Sequence, residues 1–348
     1  MTLADYWFLA IGVLFTGYFL LEGFDFGVGM LMPILGRGSD VRRRVLLNTI
    51  GPVWDGNEVW LITAGAAMFA AFPEWYATLF SGMYLPLLLI LVGLIARVCA
   101  IEWRGKIDDP RWRRIADIGI GLGSWIPAIL WGVAFANIVR GVDIDAGKQM
   151  TTDLWGLLGP YALLGGAALC LLFLLHGTIF VTLKSDGEVR IDAARLARRI
   201  AGPVTVVVGG FALWTQLAHG KGWTWAVVAV AALALTLVCA LVFGSAFAGE
   251  ARRELLAFAA TSVTVIGVAV LLFGSLFPNV MNATDPAHAL TIANASSTHY
   301  TLTVMSWCTV FILPVVIGYQ AWTYWVFRKR ISASHIPPSI GLSPTPPK

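Results

Sequence analysis

Long apolar runs, separated by short clusters of charged residues, recur along the entire chain. An α-helix needs about 20 apolar residues to cross the hydrocarbon core of a membrane, which is about 30 Å thick. Nine runs are long enough, so the pattern predicts an all-α, polytopic membrane protein with nine transmembrane helices. The predicted helices lie near residues 5–34, 46–71, 75–102, 115–139, 154–183, 199–218, 222–248, 254–277 and 300–327.

The composition agrees with this pattern. Of the 348 residues, 58% are hydrophobic and only 13% are charged, whereas soluble domains are about 45–50% apolar and about 25% charged. The composition therefore excludes an ordinary soluble domain. The net charge of +4 does not indicate nucleic-acid binding, because in a membrane protein the position of each charge decides its meaning.

Lysine and arginine are distributed unevenly between alternate loops. Nineteen of them follow the first, third, fifth, seventh and ninth predicted helices, and the other loops contain only Arg140, Lys148 and Lys221. Because cytoplasmic loops carry the excess of basic residues, this predicts an N-terminus outside the cell and a C-terminus in the cytoplasm.

Short segments repeat along the chain. Residues 19–23 (Phe-Leu-Leu-Glu-Gly) recur at 173–177 with His in place of Glu, and the Gly-Pro-Val of 51–53 recurs at 202–204. Matches of this kind in the same order favour a duplication. We predict a four-helix unit over 1–140, a second over 150–280, a peripheral ninth helix over 300–330 and a disordered cytoplasmic tail over 336–348.

Ionisable residues occur within the first three predicted helices, where each costs at least about 2.5–3.5 kcal/mol at the middle of a membrane. Glu22 and Asp25 are three residues apart, as are Asp55 and Glu58, so each pair shares a helix face. The third predicted helix carries Arg97. All five residues are predicted to lie in the cytoplasmic half of the membrane.

Glu102 and Lys106 extend this group to the cytoplasmic end of the third predicted helix. Four buried carboxyl groups with one buried cation cannot all be ionised in a low dielectric. We therefore expect at least one carboxyl group to take up and release protons, and the group as a whole to form a proton inlet from the cytoplasm.

Two alternatives remain open for these charges. Arg97 could simply neutralise Asp25 or Asp55 as a structural ion pair between helices, in a chain that acts only as a scaffold. Repeats and buried acids also occur in proton-coupled secondary transporters, although few of the predicted helices here show the interrupted pattern of that class.

Other polar and aromatic residues in the membrane give weaker indications. Trp54 and Trp60 flank the acids and either line the site or pack ordinarily. His176 either binds haem iron or forms a hydrogen bond to a neighbouring helix. Neither catalytic motifs nor metal-binding spacings are recognisable, so no residue is assigned to catalysis, to a cofactor or to a metal.

The chain resembles subunit II of the cytochrome bd-type quinol oxidases. The resemblance is carried by residues 22–29, 54–65, 97, 104–106, 132–137, 294–297 and 301–307.

The resemblance implies a nine-helix subunit paired with a homologous subunit I, in a bacterial plasma-membrane oxidase that oxidises quinol and reduces O2 to water. It implies two haems b and one haem d in subunit I, none of them ligated by this chain. Subunit II is then expected to stabilise subunit I and to contribute a proton path from the cytoplasm. A structural quinone in this chain and a small accessory subunit stay open, as does the type of quinone.

The resemblance also implies roles for individual residues. Five positions match residues implicated in the proton route or in haem stability: Asp25, Asp55, Arg97, Glu102 and Lys106. Trp60 matches a position where an oxygen channel has been placed. Some relatives carry Asp in place of Glu22 or Gln in place of Glu58.

Overall fold

The structure, a computed structural model, describes residues 2–244, 247, 249–338 and 341. Its regular elements are almost all helical, apart from one antiparallel hairpin between α10 and α11. In chain order they are α1 (Leu3–Leu35), α2 (Asp40–Ile50), α3 (Trp54–Ala71), α4 (Pro73–Gly82), α5 (Tyr84–Trp103), α6 (Pro110–Arg140), α7 (Pro160–Lys184), α8 (Glu188–His219), α9 (Thr224–Phe243), α10 (Ala251–Leu276), β1 (Asn279–Met281), β2 (Leu290–Thr291), α11 (Ile292–Ala295) and α12 (His299–Val326).

Within these described ranges, eight helices are long and apolar enough to cross a membrane: α1, α5, α6, α7, α8, α9, α10 and α12. The second predicted helix, 46–71, is wrong as a continuous element, because α2 ends at Ile50 and α3 begins at Trp54. Pro52 lies in the break and has no backbone N–H to continue the helix. The 18-residue α3 is not among the eight, so the count of nine is not confirmed and stays a prediction.

The third predicted helix, 75–102, is also interrupted. It consists of α4 and α5, which are separated at Met83. Pro86 cannot donate a hydrogen bond to the carbonyl of Gly82, four residues earlier, and its ring would clash with that carbonyl. Residues 75–96, on both sides of the break, carry no charge, so hydropathy alone does not indicate it.

Other boundaries differ from the prediction by varying amounts. Helix α8 begins at Glu188 rather than near 199, because its first turns continue as helix outside the apolar run. Helix α9 ends at Phe243, and residue 248, the predicted end, lies outside the described residues. Most of the predicted disordered tail, 336–348, also lies outside the described residues.

Helix α1 lies at the centre of the bundle, in contact with α3, α6, α7 and α10. Its backbone lies close to that of α7, where a Cβ atom on Gly27 would lie only 2.2 Å from the carbonyl oxygen of Phe173. Small residues at such crossings let two helix backbones meet. Helix α12 is peripheral, and Leu302 alone is buried among its residues, all of which the structure describes. The division into units 1–140 and 150–280 stays a prediction.

The predicted cytoplasmic loops meet at one end of the bundle. Asp40, at the start of α2, pairs with Arg104 after α5, at 2.8 Å. Glu254 on α10 pairs with Arg330 beyond α12, at 2.5 Å. We call this end the basic end. Its assignment to the cytoplasm stays a prediction from the charge distribution.

Candidate functional site

A buried ionic cluster joins three helices. Arg97 on α5 is fully buried, and its Nη1 contacts the Oε1 of Glu22 on α1, which is also fully buried. The same nitrogen lies 3.2 Å from the Oε1 of Glu58 on α3, whose side chain is 18% exposed. One guanidinium group therefore serves two carboxyl groups. We call Glu22, Asp25, Glu58 and Arg97 the Arg97 cluster.

Asp25, one turn after Glu22 on α1, is held by the side-chain amide of Asn57 on α3. The Nδ2 of Asn57 donates a hydrogen bond of 2.7 Å to the Oδ2 of Asp25. The hydroxyl of Tyr324 on α12 donates to the Oδ1 of the same asparagine at 2.7 Å, and the Nε2 of Gln320 lies 3.3 Å from that oxygen. The peripheral α12 thus fixes the orientation of the amide that holds Asp25.

The space for Arg97 is created by its neighbours on α1 and α6. A Cβ atom on Gly123 of α6 would lie 2.6 Å from the Cβ of Arg97, so a larger residue there would displace the arginine backbone. The ring of Phe26 lies under the guanidinium carbon at 4.9 Å, which adds a cation–π contact in a desolvated site.

Several buried polar atoms in the cluster have no hydrogen-bond partner among the described residues. They are the Oε2 of Glu22, the Oδ1 of Asp25 and the Nε and Nη2 of Arg97. Buried polar atoms are normally paired, and exceptions call for an explanation such as bound water or a functional role. Three carboxyl groups around one cation also cannot all be ionised without a net negative charge in a low dielectric. The site therefore has the chemistry to bind water and protons.

The structure places three of the predicted residues outside this cluster. Asp55, Glu102 and Lys106 are all exposed. Asp55 lies on the first turn of α3, and the other two lie at the basic end of α5. None of their side chains forms a hydrogen bond or ion pair with the described part of the chain.

A polar cavity of about 360 Å³ opens at the basic end, with Trp54, Ile101 and Glu102 in its wall. Trp54 lies one helical turn before Glu58 on α3, and Ile101 lies one turn after Arg97 on α5. The cavity therefore reaches to within one helical turn of the Arg97 cluster on two helices. Trp54 itself is buried.

Trp60 belongs to a different environment, an apolar cleft of about 640 Å³ between α1, α3 and α12. Its wall also contains Trp7, Val13 and Met305. The Nε1 of Trp60 donates to the Oε1 of Gln320 at 2.9 Å. The indole is therefore anchored to α12 while its ring lines the cleft.

His176 on α7 is fully buried, and both of its ring nitrogens have partners. The Nδ1 lies 2.8 Å from the hydroxyl of Thr261, and the Nε2 lies 3.2 Å from the carbonyl oxygen of Leu20. The ring stacks on Phe258 at 4.7 Å. This geometry fits the hydrogen-bonding interpretation of His176 and leaves neither nitrogen free to bind iron.

Sequence reasoning missed the polar partners of the cluster, Asn57, Gln320 and Tyr324. A signal was available, because uncharged polar residues within apolar runs also carry a cost that a neighbour must offset. Asn57 stands between the acids Asp55 and Glu58 in the sequence, but the pattern of charged residues alone does not indicate it.

The sequence pattern also does not predict an ionic network at the basic end. Arg104 donates from Nε to the Oδ1 of Asp117 at 2.6 Å and from Nη2 to the Oδ1 of Asp40 at 2.8 Å. Burial alone would lower the pKa of Arg104, but the hydrogen bonds and charges of these two aspartates outweigh it and raise the pKa above its usual value. The network holds the α1–α2 connection against α5 and α6.

The family described as cytochrome bd terminal oxidase subunit II matches residues 3–327. The chain belongs to this family.

Two relatives extend the match over nearly the whole chain. The cytochrome bd ubiquinol oxidase subunit 2 of Bacillus subtilis (strain 168) is 41% identical over 332 residues, which cover 95% of this chain and 97% of the relative. The cytochrome bd-I ubiquinol oxidase subunit 2 of Escherichia coli (strain K12) is 32% identical over 372 residues, which cover 95% of each.

A solved structure supports the fold. The bd oxidase from Geobacillus thermodenitrificans contains a chain that superposes with a TM-score of 0.77 at 16% identity, over 94% of this chain and 99% of that one. At this identity the likeness concerns the fold alone.

Membership of the family has consequences for this chain. It is a subunit of a bacterial membrane oxidoreductase, with a subunit I as its partner and a location in the plasma membrane. The transporter alternative is therefore wrong. Haem cofactors follow from the family and belong to the partner subunit. Among the described residues of this chain, no group of three or more His, Cys, Asp or Glu could hold a metal ion.

Proposed function

We propose that the chain acts as subunit II of a quinol:O2 oxidoreductase, in which it stabilises subunit I and brings protons from the cytoplasm to the site of O2 reduction. The two haems b and the haem d of subunit I would carry electrons from quinol to O2. Reduction of O2 consumes protons, so drawing them from the cytoplasm while quinol releases its own outside separates charge across the membrane.

The proposal rests on the Arg97 cluster, which contains three acids but one cation and leaves several buried polar atoms without a partner among the described residues. Arg97 contacts Glu22 and Glu58 through a single nitrogen, while its Nε and Nη2 and one oxygen each of Glu22 and Asp25 have no partner among the described residues. A purely structural ion pair in the membrane needs one acid and satisfied hydrogen bonds. Three acids around one cation, two of them with an unpaired oxygen, are instead suited to exchange protons through bound water.

The arrangement suggests an order for the route. Protons would enter the polar cavity beside Glu102 and pass Trp54 to Glu58, which is the cluster member with the largest exposed fraction. Lys106, which follows the lining residue Gly105 and is exposed, would lie on the surface near this entrance. From there they would reach the fully buried Glu22 and Asp25. Asp55, exposed on the first turn of α3, would gather protons at the surface rather than transfer them within the cluster.

Trp60 would line a path for O2 as part of the same proposed function. The cleft that it lines is apolar, and an apolar lining suits a small apolar molecule such as O2.

The test replaces Asp25 and Asp55 separately by Asn in the two-subunit complex. Asp25→Asn keeps the shape of the side chain but cannot carry a proton. We expect it to lower O2 consumption per haem by about 10- to 100-fold, up to the lower end of the roughly 10²–10⁴-fold effects of positioned proton-transfer groups. Asp55→Asn should lower it less. Both rates are measured with an oxygen electrode on complexes whose haem spectra show normal assembly.

Glu188→Gln is the matched control, because it removes an acid whose side chain is 87% exposed at the basic end. It should leave the rate unchanged. Normal O2 consumption in both Asp25→Asn and Asp55→Asn would refute the proton route and leave the cluster as a structural neutralisation of Arg97.

A further inference from the structure

A second, larger cavity lies at the basic end of the bundle. It has a volume of about 1030 Å³ and lies between α1, α7, α10 and the residues that end and follow α12. Most of its wall is apolar and includes Leu21, Phe24, Phe180, Leu255, Phe258 and Val326. The proposed proton route does not use this cavity.

The rim of this cavity is strongly basic. Among the described residues, the lining contains no Asp or Glu. It contains five Lys or Arg side chains, which are Lys184, Arg252, Arg328, Lys329 and Arg330. A wall with this charge balance favours an anionic group at the rim.

Three of these cations already have partners in the protein. Arg330 pairs with the buried Glu254 at 2.5 Å. The Nζ of Lys184 donates to the carbonyl oxygen of Phe327, and Arg328 donates to the carbonyl of Trp325 at 2.6 Å. These contacts fix the segment after α12 against α7 and α10, so the rim is a built surface.

Arg252 and Lys329 differ from these three. Both are exposed, and neither side chain has a hydrogen bond or an ion pair with the described residues. Arg252 lies in the first turn of α10, and Lys329 lies three residues beyond the end of α12. They stand on the two elements that flank the cavity.

We propose that this cavity binds an anionic phospholipid, with its phosphate between Arg252 and Lys329 and an acyl chain along Leu21, Phe24 and Phe258. Basic pockets between transmembrane helices at the cytoplasmic side are suited to anionic headgroups. The acyl chain would bury apolar side chains that the protein itself leaves uncovered.

The apolar wall decides between sources of the phosphate. A free phosphate ion would contact only the rim and leave the greater part of the cavity unfilled. A phospholipid satisfies both parts, because its headgroup and its hydrocarbon chain are joined in one molecule. It is also available at this depth, since α10 is one of the eight membrane-length helices.

The test is native mass spectrometry of the purified two-subunit complex with phosphatidylglycerol and phosphatidylcholine of identical acyl chains. We expect the anionic lipid to bind at least about tenfold more tightly. The double variant Arg252→Gln/Lys329→Gln should weaken phosphatidylglycerol binding by about 30-fold, which corresponds to about 1 kcal/mol for each basic residue at 1.4 kcal/mol per tenfold.

Arg111→Gln/Arg114→Gln is the matched control, because it removes two exposed cations near the start of α6, which are not in the cavity wall. It should retain the affinity of the unmodified complex. A haem spectrum and a thermal unfolding curve check the assembly of each variant.

Equal binding of the two lipids by the unmodified complex would overturn the proposal, and this comparison does not depend on any variant. The same holds if the control weakens binding as much as the cavity variant. Displacement of the lipid by millimolar inorganic phosphate would show a free-anion site instead. A polypeptide that stays bound while phosphatidylglycerol does not would show that another subunit fills the cavity.

Discussion

Glu22 on α1 and His176 on α7 occupy matching places in the repeated segment Phe-Leu-Leu-x-Gly, and both are fully buried. Their surroundings differ. Glu22 shares a cation with Glu58 and has an oxygen without a partner among the described residues. His176 has a partner on each ring nitrogen and a stacked aromatic ring.

Burial alone does not decide whether a polar residue serves packing or proton exchange. A buried polar residue whose hydrogen bonds are all satisfied contributes to packing and specificity, and nothing in its surroundings favours a change of protonation. A buried acid with unpaired atoms and a shared counter-charge can gain or lose a proton at less cost, because neither state is fully stabilised. We therefore expect substitutions at the two sites to affect different properties.

The largest expected effect comes from removing the cation of the Arg97 cluster. Arg97→Gln leaves the buried Glu22 and the partly exposed Glu58 without a counter-charge, and breaking a buried pair such as Arg97–Glu22 costs about 3–5 kcal/mol. We expect most of the haem-bearing complex to be lost from the membrane. The measurement is haem absorbance per amount of membrane protein, together with the midpoint of thermal unfolding.

The exposed Arg111 provides the control, and Arg111→Gln should assemble normally. Arg97→Gln combined with Glu22→Gln should recover part of the complex, because the second change removes one stranded charge. Normal assembly of Arg97→Gln alone would contradict the arrangement of the cluster.

A smaller effect, on stability alone, is expected at the other site. His176→Gln disrupts the hydrogen bonds to Thr261 and Leu20, and a buried group left without its partner costs about 1–3 kcal/mol. O2 consumption per haem should stay unchanged, in contrast to Asp25→Asn. The measurements are thermal unfolding and oxygen-electrode rates.

His299→Gln, at an exposed position at the start of α12, should leave both properties unchanged. A shifted haem spectrum in an assembled His176→Gln complex would contradict the structural interpretation and associate this residue with a redox centre.

A still smaller effect is expected at the hydrogen bond between Tyr324 and Asn57, beside the Arg97 cluster. Tyr324→Phe removes the hydroxyl that donates to Asn57, which costs about 0.5–1.5 kcal/mol. Gln320 still reaches the same oxygen at 3.3 Å, so the amide that holds Asp25 keeps its orientation. O2 consumption should fall less than in Asp25→Asn, measured side by side with Tyr300→Phe, whose ring is 79% exposed. A decrease as large as that of Asp25→Asn would mean that Tyr324 itself transfers protons.

The helices show how far apolar runs predict boundaries. Seven of the nine predicted runs correspond to single helices, because hydropathy reports directly on burial in lipid. The other two runs are interrupted, 46–71 around Pro52 and 75–102 at Met83, three residues before Pro86. Proline alone does not decide a break, because α6, α8 and α12 continue through Pro127, Pro203 and Pro314. Hydropathy carries no information on the backbone geometry at such positions, so it does not separate the prolines that end a helix from those that a helix accommodates.

The site shows a different limit. The spacing of Asp55 and Glu58 placed both on one face of α3, and Glu58 does reach Arg97. The buried face of α3 is set by Trp54, Asn57, Ala64 and Ala67. Asp55 lies about 200° around the helix from Asn57, at about 100° per residue. The two cannot both face the bundle, and the packing of α3 against α1 and α12 selects Asn57.

The membrane class, the family, the basic end and the presence of acids near an intramembrane arginine are all predictable from the amino-acid sequence. These follow from composition, charge distribution and motif, which are properties of the chain read in order. Three features are visible only once the chain is folded. Arg97 contacts Glu22 and Glu58 but not Asp55. Asp25 is held through Asn57 and Tyr324, and both ring nitrogens of His176 have hydrogen-bond partners. The reason is that each of these contacts depends on the rotation of a helix about its own axis, and neighbours distant in sequence set that rotation.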